Sequence, residues 1–267
     1  MGVRTRVGGV IAGALILAAS GAAAQTGERL SDNQVKEIID QVDTGRDKFE
    51  GNLDGDFKGS TLRGPSGETK VSGALQDYQD STKKLQERFT SDYSASAEVA
   101  TVLKQSMQID QFMKGPTGPA KGRPEWDRQT VNLRRLAAAY GTTFPLPDGA
   151  TVRRINDAEA ALTAGAVATQ AEHVKEAVKA DKTLAKPDKQ ALVKQVDAVI
   201  KQAKTLQSRL KDGKSVTTDG KALRENVAAL TASGRQLPPT VLTAIGAMNA
   251  PLLKLDQALG FAPPPTS

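Results

Sequence analysis

Apolar residues recur at three- and four-residue spacing along most of this chain, which is the pattern of amphipathic helices. The clearest run follows Pro187, where successive apolar positions are separated by 4, 3, 4, 3 and 4 residues. This seam consists of Leu192, Val196, Val199, Ala203, Leu206 and Leu210. The same spacing is found in Val71, Leu75, Tyr78, Thr82, Leu85 and Phe89. Such narrow seams are typical of helices that pack side by side, as in coiled coils.

Local signals indicate where several helices begin or break. Ser31 and Gln34 form an S-x-x-Q capping box, which predicts a helix that starts there. Asn156 or Asp157 is predicted to cap a long alanine-rich helix. Pro251 lies within the last apolar stripe of the chain, and we expect it to kink or split that helix.

Two stretches lack helical spacing. Residues 55–70 are polar and broken by glycines and Pro65, so they predict a long loop. Residues 142–149 contain Pro145 and Pro147 and predict an irregular joint. No strand-like alternation persists beyond a few residues. We therefore expect an all-α, antiparallel helical bundle of about seven or eight helices, with a joint that allows two helical subdomains.

The expected domain organisation follows from these boundaries. The prediction comprises a cleaved segment (1–24), an N-terminal helical region (25–148), a C-terminal helical region (149–260) and a flexible proline-rich tail (261–267). A faint likeness between residues 99–140 and 196–230 has two interpretations. It reflects either an internal duplication or simply two similar helical hairpins.

The first residues resemble a secretory signal peptide. Arg4 and Arg6 precede an apolar run over residues 7–21, and Ala22-Ala23-Ala24 then offers an A-x-A cleavage site. An uncleaved membrane anchor is the alternative, but the run is rich in glycine and alanine and ends in a cleavage signature. We expect a secreted or periplasmic protein that begins at Gln25 and is not an integral membrane protein after cleavage.

Composition excludes several kinds of chemistry. The chain contains no cysteine and one histidine, so thiol catalysis, cysteine-based metal sites and multi-histidine metal sites within one chain are excluded. Loss of Arg4 and Arg6 lowers the formal net charge from +6 to +4. A balance this small does not predict binding to nucleic acid. We expect no cofactor and no metal ion.

Two local patterns resemble a calcium-binding loop and a phosphate-binding loop, but neither matches the full motif. Asn52, Asp54 and Asp56 have the first three ligand spacings of an EF-hand, but Phe57 and Arg63 occupy positions that require Gly and Glu. A solvated turn is therefore the predicted structure, and a weak calcium site is the alternative. The loop after residue 114, GPTGPAKGRPEW, contains Gly-Pro steps but does not match a phosphate-binding loop.

Charged residues offer two further candidates. His173 lies in the alanine-rich helix with Glu172 and Glu176 nearby, and it could form an acid–base pair. Without a nucleophile or metal partner, a surface role is the simpler interpretation. The segment 179–214 carries ten basic residues against four aspartates. It predicts either contact with an acidic partner, such as anionic lipid or a polyanionic envelope polymer, or merely the solvent-exposed face of a helix.

The helical hairpin around Trp126 holds much of the aromatic content of the chain. Phe112, Trp126, Tyr140 and Phe144 lie in or beside its two helices, and Tyr93 precedes them. Because aromatic side chains bury large areas, this cluster is the predicted packing centre. If the bundle holds an apolar cavity, its predicted lining is Phe112, Trp126, Tyr140 and Phe144.

The sequence thus predicts a non-enzymatic secreted helical protein that binds envelope components or other proteins through its surfaces. No nucleophile elbow, zincin motif or dinucleotide fingerprint is present in the sequence. The first alternative is a small-ligand-binding bundle with an apolar pocket near Trp126. The second is an enzyme whose site is built on carboxylates that form no recognisable motif.

Overall fold

The fold comes from a computed structural model that describes residues 29–64, 67–115, 118–232 and 237–261. The predicted signal peptide and nearly all of the predicted tail lie outside these residues. Ten helical segments and one two-stranded sheet are present in the described residues. The predicted all-α helical bundle is confirmed.

The first half of the chain contains five helices and both strands. They are α1 (Asp32–Asn52), α2 (Gly55–Lys58), β1 (Thr61–Gly64), β2 (Gly67–Lys70), α3 (Val71–Arg88), α4 (Ser96–Lys114) and α5 (Arg123–Ala139). The second half contains α6 (Asp157–Ala180), α7 (Lys186–Lys211), α8 (Thr217–Ala232), α9 (Pro239–Ala247) and α10 (Asn249–Ala258). Because α2 is a single turn and α9 and α10 are consecutive, the segments correspond to eight principal helices.

The predicted helix boundaries agree with the structure. The hydroxyl of Ser31 accepts from the Gln34 backbone N–H, and the Ser31 N–H donates to the Gln34 amide at 2.8 Å, which completes the capping box. Asn156 caps α6 by accepting from the Glu159 N–H at 2.7 Å. Pro251 lies in the first turn of α10, where its missing N–H is tolerated, and the helix is split just before it.

The predicted loop over residues 55–70 is partly wrong. One helical turn, α2, is followed by an antiparallel hairpin in which Thr61 pairs with Lys70 and Leu62 with Thr69. Leu62 is buried against the core of the first half, so the hairpin covers one edge of that core. Four-residue strands show too few alternating positions to be recognised in the sequence.

Buried apolar side chains form two separate clusters. The first extends from α1 through Val152, and the second begins at Ile155 and extends to Phe261. We therefore refer to residues 29–152 as the N-terminal half and residues 153–261 as the C-terminal half. In the first, α1 packs on α3 and α5, and α4 closes the bundle between α3 and α5. In the second, α6 packs on α7, α9 and α10, and α7 packs on α8.

A buried ionic joint connects the two halves where α1 and α6 begin. The Asp32 N–H donates to the Asp157 carboxylate at 2.8 Å, and the Asp157 N–H donates to the Asp32 carboxylate at 2.8 Å. Arg29 pairs with Asp157, and Arg154 pairs with Asp32 at 2.7 Å. Each carboxylate therefore caps the opposite helix and neutralises the arginine of the opposite half.

The joint has a local two-fold character that is also visible in the sequence. Arg29–Asp32 reads RLSD and Arg154–Asp157 reads RIND. Arg29 donates to the Ile155 carbonyl at 3.0 Å, and Arg154 donates to the Leu30 carbonyl at 2.7 Å. This reciprocity places α6 in correspondence with α1. It differs from the likeness between residues 99–140 and 196–230, which would place α7 in correspondence with α4.

Candidate functional site

Trp126 is fully packed inside the N-terminal half rather than lining an open pocket. Its side chain is 1% exposed, and its ring lies 5.0 Å from the ring of Phe49 and 6.4 Å from that of Tyr78. The indole N–H donates to the buried carboxylate of Asp110 at 3.0 Å. The aromatic partners of Trp126 thus come from α1 and α3, outside the predicted aromatic hairpin.

The four residues of the predicted apolar pocket are spread along the bundle. Tyr140 follows α5 fourteen residues after Trp126, which corresponds to roughly 21 Å of helix. Tyr140 and Phe144 are buried and Phe112 is half-buried, whereas Tyr93 is 39% exposed. None of the four pocket residues lines the surface groove between α1 and α5 or the one between α6 and α7. An apolar ligand pocket at these positions remains a prediction.

A second polar contact lies one turn from Trp126. The amide nitrogen of Gln129 donates to the Val42 carbonyl at 2.8 Å and to the hydroxyl of Tyr78 at 2.6 Å. Burial raises the pKa of Tyr78 to about 12, although hydrogen bonds from Ser106 and Gln129 partly oppose that rise. The N-terminal core therefore contains polar side chains from several helices, each held by a specific partner.

A groove with a cavity volume of about 380 Å³ runs between α1 and α5. Its lining residues are Asp40, Gln41, Thr44, Gly45, Lys48, Glu125, Arg128, Gln129 and Asn132. Gly45 lets the Gln129 amide lie against the backbone of α1, because a Cβ atom there would be only 2.1 Å from the amide oxygen. No pattern in the sequence indicates this site, because only the packing of α5 against α1 brings its two sides together.

The lysine-rich segment forms the solvent-exposed side of α7. Five lysines of this helix are exposed, and we call them the α7 lysine face. They are Lys186, Lys194, Lys201, Lys204 and Lys211. The apolar seam of α7, from Leu192 to Leu210, is buried on the opposite side as predicted. Successive lysines of the face are 8, 7, 3 and 7 residues apart, so they all lie within about 100° around the helix axis.

Only one lysine of this face has an ion pair among the described residues. Lys204 pairs with Glu172 of α6 at 2.7 Å, and this contact lowers the pKa of Glu172. Asp197, the exposed aspartate in the middle of α7, pairs with Lys175 of α6 at 2.7 Å. It therefore does not pair with the lysines of the α7 lysine face. Lys189 donates to carbonyl oxygens at the end of α6. The remaining four lysines of the face are available to an external anion.

His173 is exposed and lies in a second groove, between α6 and α7. Its Nδ1 atom is 3.4 Å from the amide oxygen of Gln170. Glu172, Glu176 and Lys175 line the same groove, but no serine, threonine or tyrosine hydroxyl is among its lining residues. The arrangement fits a surface histidine within a network of exposed ion pairs.

The acidic segment that resembles the start of an EF-hand does not form a loop. Asn52 ends α1, and Asp56 lies within α2. Between them, Asp54 pairs with Lys121 of the α4–α5 connection at 2.6 Å. No group of three or more potential metal-binding side chains occurs in the described part of the chain. Likewise, none of the helices described here is long and apolar enough to cross a membrane.

Comparison with protein families, with curated proteins and with solved structures found no match to this chain.

Proposed function

We propose that this protein is a non-enzymatic binding protein of the cell envelope that holds a polyanionic polymer along the α7 lysine face. The observation that carries the proposal is the row of exposed lysines with no carboxylate partner on that helix. The envelope location rests on the signal-peptide pattern of residues 1–24. Secretion would place this face among the anionic polymers that cell envelopes contain.

Uneven distribution of charge supports this choice of surface. Residues 29–152 carry 17 basic and 18 acidic side chains, which gives a net charge of −1. Residues 153–261 carry 17 basic and 11 acidic side chains, which gives +6. Within α7 alone, seven basic residues face two aspartates, a net charge of +5. The positive potential of the protein is therefore concentrated on this helix.

Geometry favours an extended partner over a compact one. The lysine face extends from Lys186 to Lys211, which corresponds to about 38 Å along the helix axis. A polymer with regularly spaced phosphate or carboxylate groups could meet several lysines at once, and each contact would be screened by salt. Because α7 contains no aromatic residue, it offers no platform for stacking of nucleic-acid bases.

Binding of the chain from Gln25 to two probe polymers, poly(glycerol phosphate) and alginate, tests the proposal. We expect biolayer interferometry to show binding to at least one polymer, with an affinity that falls steeply as NaCl increases. Absence of binding to both polymers at low salt would refute the proposal. An intact mass that matches a chain beginning at Gln25, measured on protein from its host, is expected from the envelope location.

A pair of charge-matched variants separates the α7 face from overall charge. The variant K194E/K201E should weaken binding at least tenfold. The control K84E/K104E changes the net charge equally at exposed lysines of α3 and α4 and should weaken it far less. Equal losses in both variants would show that net charge alone causes binding and would exclude a specific role for α7.

A further inference from the structure

The groove between α1 and α5 contains a buried hydrogen-bond acceptor with no partner. Gln129 is 0% exposed, and its amide oxygen accepts no hydrogen bond from the described residues. Its amide nitrogen donates to the Val42 carbonyl, so a flipped amide would place its oxygen against that carbonyl, and two acceptors would face each other. The orientation is therefore fixed, and the free oxygen faces Gly45.

Leaving such an acceptor unsatisfied is costly. A buried polar atom without a partner destabilises the folded state, and most of those in folded proteins do have partners. Gly45 contributes no side chain at this point, so its backbone and the Gln129 amide lie at the base of the groove. A ligand with an N–H or O–H donor could hydrogen-bond to this oxygen after a small movement of the amide.

Charged side chains on the rim are balanced in number. Asp40 and Glu125 contribute two carboxylates, and Lys48 and Arg128 contribute two cations. Asp40 forms a 3.4 Å ion pair with exposed Lys36 and accepts a hydrogen bond from Gln86 at 3.1 Å. Arg128 forms a 3.4 Å pair with Glu125. Lys48 has no ion pair among the described residues and is exposed. A ligand of one charge sign would be repelled by half of this rim, whereas one that carries both signs would not.

We infer that this groove binds a small zwitterion, namely a free amino acid or a dipeptide. Its ammonium group would donate to the amide oxygen of Gln129 and face the carboxylates of Asp40 and Glu125. Its carboxylate would face Lys48 and Arg128. The volume of about 380 Å³ is within the usual range for small-molecule sites. This site is on the opposite half of the molecule from the α7 lysine face and does not depend on polymer binding.

Isothermal titration calorimetry with L-alanine and with L-alanyl-L-alanine tests the site on the chain from Gln25. We expect saturable binding of the dipeptide. N-acetylation should weaken it at least tenfold by removing the ammonium group, and C-terminal amidation should weaken it at least tenfold by removing the carboxylate. Absence of saturable binding of both L-alanine and the dipeptide, or blocked forms that bind equally well, would overturn the inference.

Two variants locate the binding. Lys48→Gln alters only an exposed rim cation, so it should weaken dipeptide binding at least fivefold with an unchanged melting temperature. Gly45→Ala places a methyl group against the Gln129 amide and should abolish binding. Gly165→Ala is the matched control, because its methyl would meet the Gln207 amide at 2.5 Å in the α6–α7 contact, away from the groove. Unchanged affinity in Lys48→Gln, or equal loss in Gly165→Ala, would exclude this site.

Discussion

The two halves of the molecule are both four-helix arrangements, yet their interiors are built from different residues. Nine of the ten aromatic residues lie in residues 29–152, and Phe261 is the single exception. The core of the C-terminal half consists mainly of alanine, valine and leucine. Buried alanines of α6 allow a close and extensive contact with α7. Large side chains thus fill the space between the helices of the N-terminal half, whereas small side chains let the helices of the C-terminal half lie closer together.

This difference explains why buried polar groups are concentrated in the N-terminal half. Trp126 and Tyr78 each have a polar atom that requires a partner when the ring is buried. Asp110 and Gln129 are those partners, and both are nearly inaccessible to solvent. An interior of aliphatic residues has no such requirement. We therefore expect the N-terminal half to be more sensitive to substitution and to pH.

Trp126→Ala should produce the largest loss of stability. A truncated buried tryptophan costs about 3–5 kcal/mol, and the loss of its indole N–H leaves Asp110 without that donor, so the total should approach 5 kcal/mol. Urea unfolding followed by circular dichroism measures it. Leu206→Ala, at a buried position of α7, should cost less because no polar partner is lost. An equal or larger loss in Leu206→Ala would contradict the proposed contrast between the halves.

Asp157→Ala should have the next largest effect, because it breaks the joint that both halves share. Removal of one member of a buried ion pair typically costs about 3–5 kcal/mol, and we expect a value near the lower limit since Asp32 remains close to Arg29. Burial and the charge of Arg154 already lower the pKa of Arg29, so this arginine depends on its carboxylate partner.

Differential scanning calorimetry should show whether the joint couples the halves. With Asp157→Ala, we expect the transition to broaden or separate into two. The double variant R29M/D157L is the control, because it removes the unpaired arginine and should recover that part of the loss, although the Asp32 N–H still lacks its Asp157 acceptor. A single sharp transition with a stability change below about 1 kcal/mol would show that the joint contributes little.

Burial patterns in single helices could be predicted from the sequence, because an apolar stripe needs only local spacing. The seams of α3 and α7 are buried, and the Ser31–Gln34 capping box forms as expected. Contacts between distant segments could not be predicted in this way. Trp126 packs on Phe49, 77 residues earlier in the chain. Only the fold determines which aromatic residue is its partner.

The joint and the groove show two different reasons for a missed site. The RLSD and RIND segments are visible as a repeated R-x-x-D pattern, so the joint had a signal in the sequence. Recognition of a repeat would still not reveal that each arginine pairs with the aspartate of the other segment. The groove had no signal, since Gly45 and Gln129 are ordinary helix residues until α1 and α5 are placed together.

Alkaline pH should weaken the N-terminal half selectively, because all three tyrosines lie there. Burial raises the pKa of Tyr78 to about 12 from an ordinary value near 10. Between these values the unfolded chain releases a proton that the folded chain retains. This contribution to stability is complete below pH 10 and is lost as pH rises through 12, a loss of about 3 kcal/mol. Burial also raises the pKa of Tyr140, which adds to the same loss.

Urea unfolding followed by Trp126 fluorescence at pH 9 to 12 can measure how much stability the ionisation of Tyr78 removes. Tyr78→Phe should be less stable than the natural chain at pH 9, since Gln129 loses one partner, but its stability should fall less steeply above pH 10. Tyr93→Phe is the control, because it removes an exposed tyrosine and leaves Tyr78 in place. If both variants retain the full alkaline loss, deprotonation of Tyr140 or of lysines would explain it instead. The burial of Tyr78 would then contribute nothing to the contrast between the two interiors.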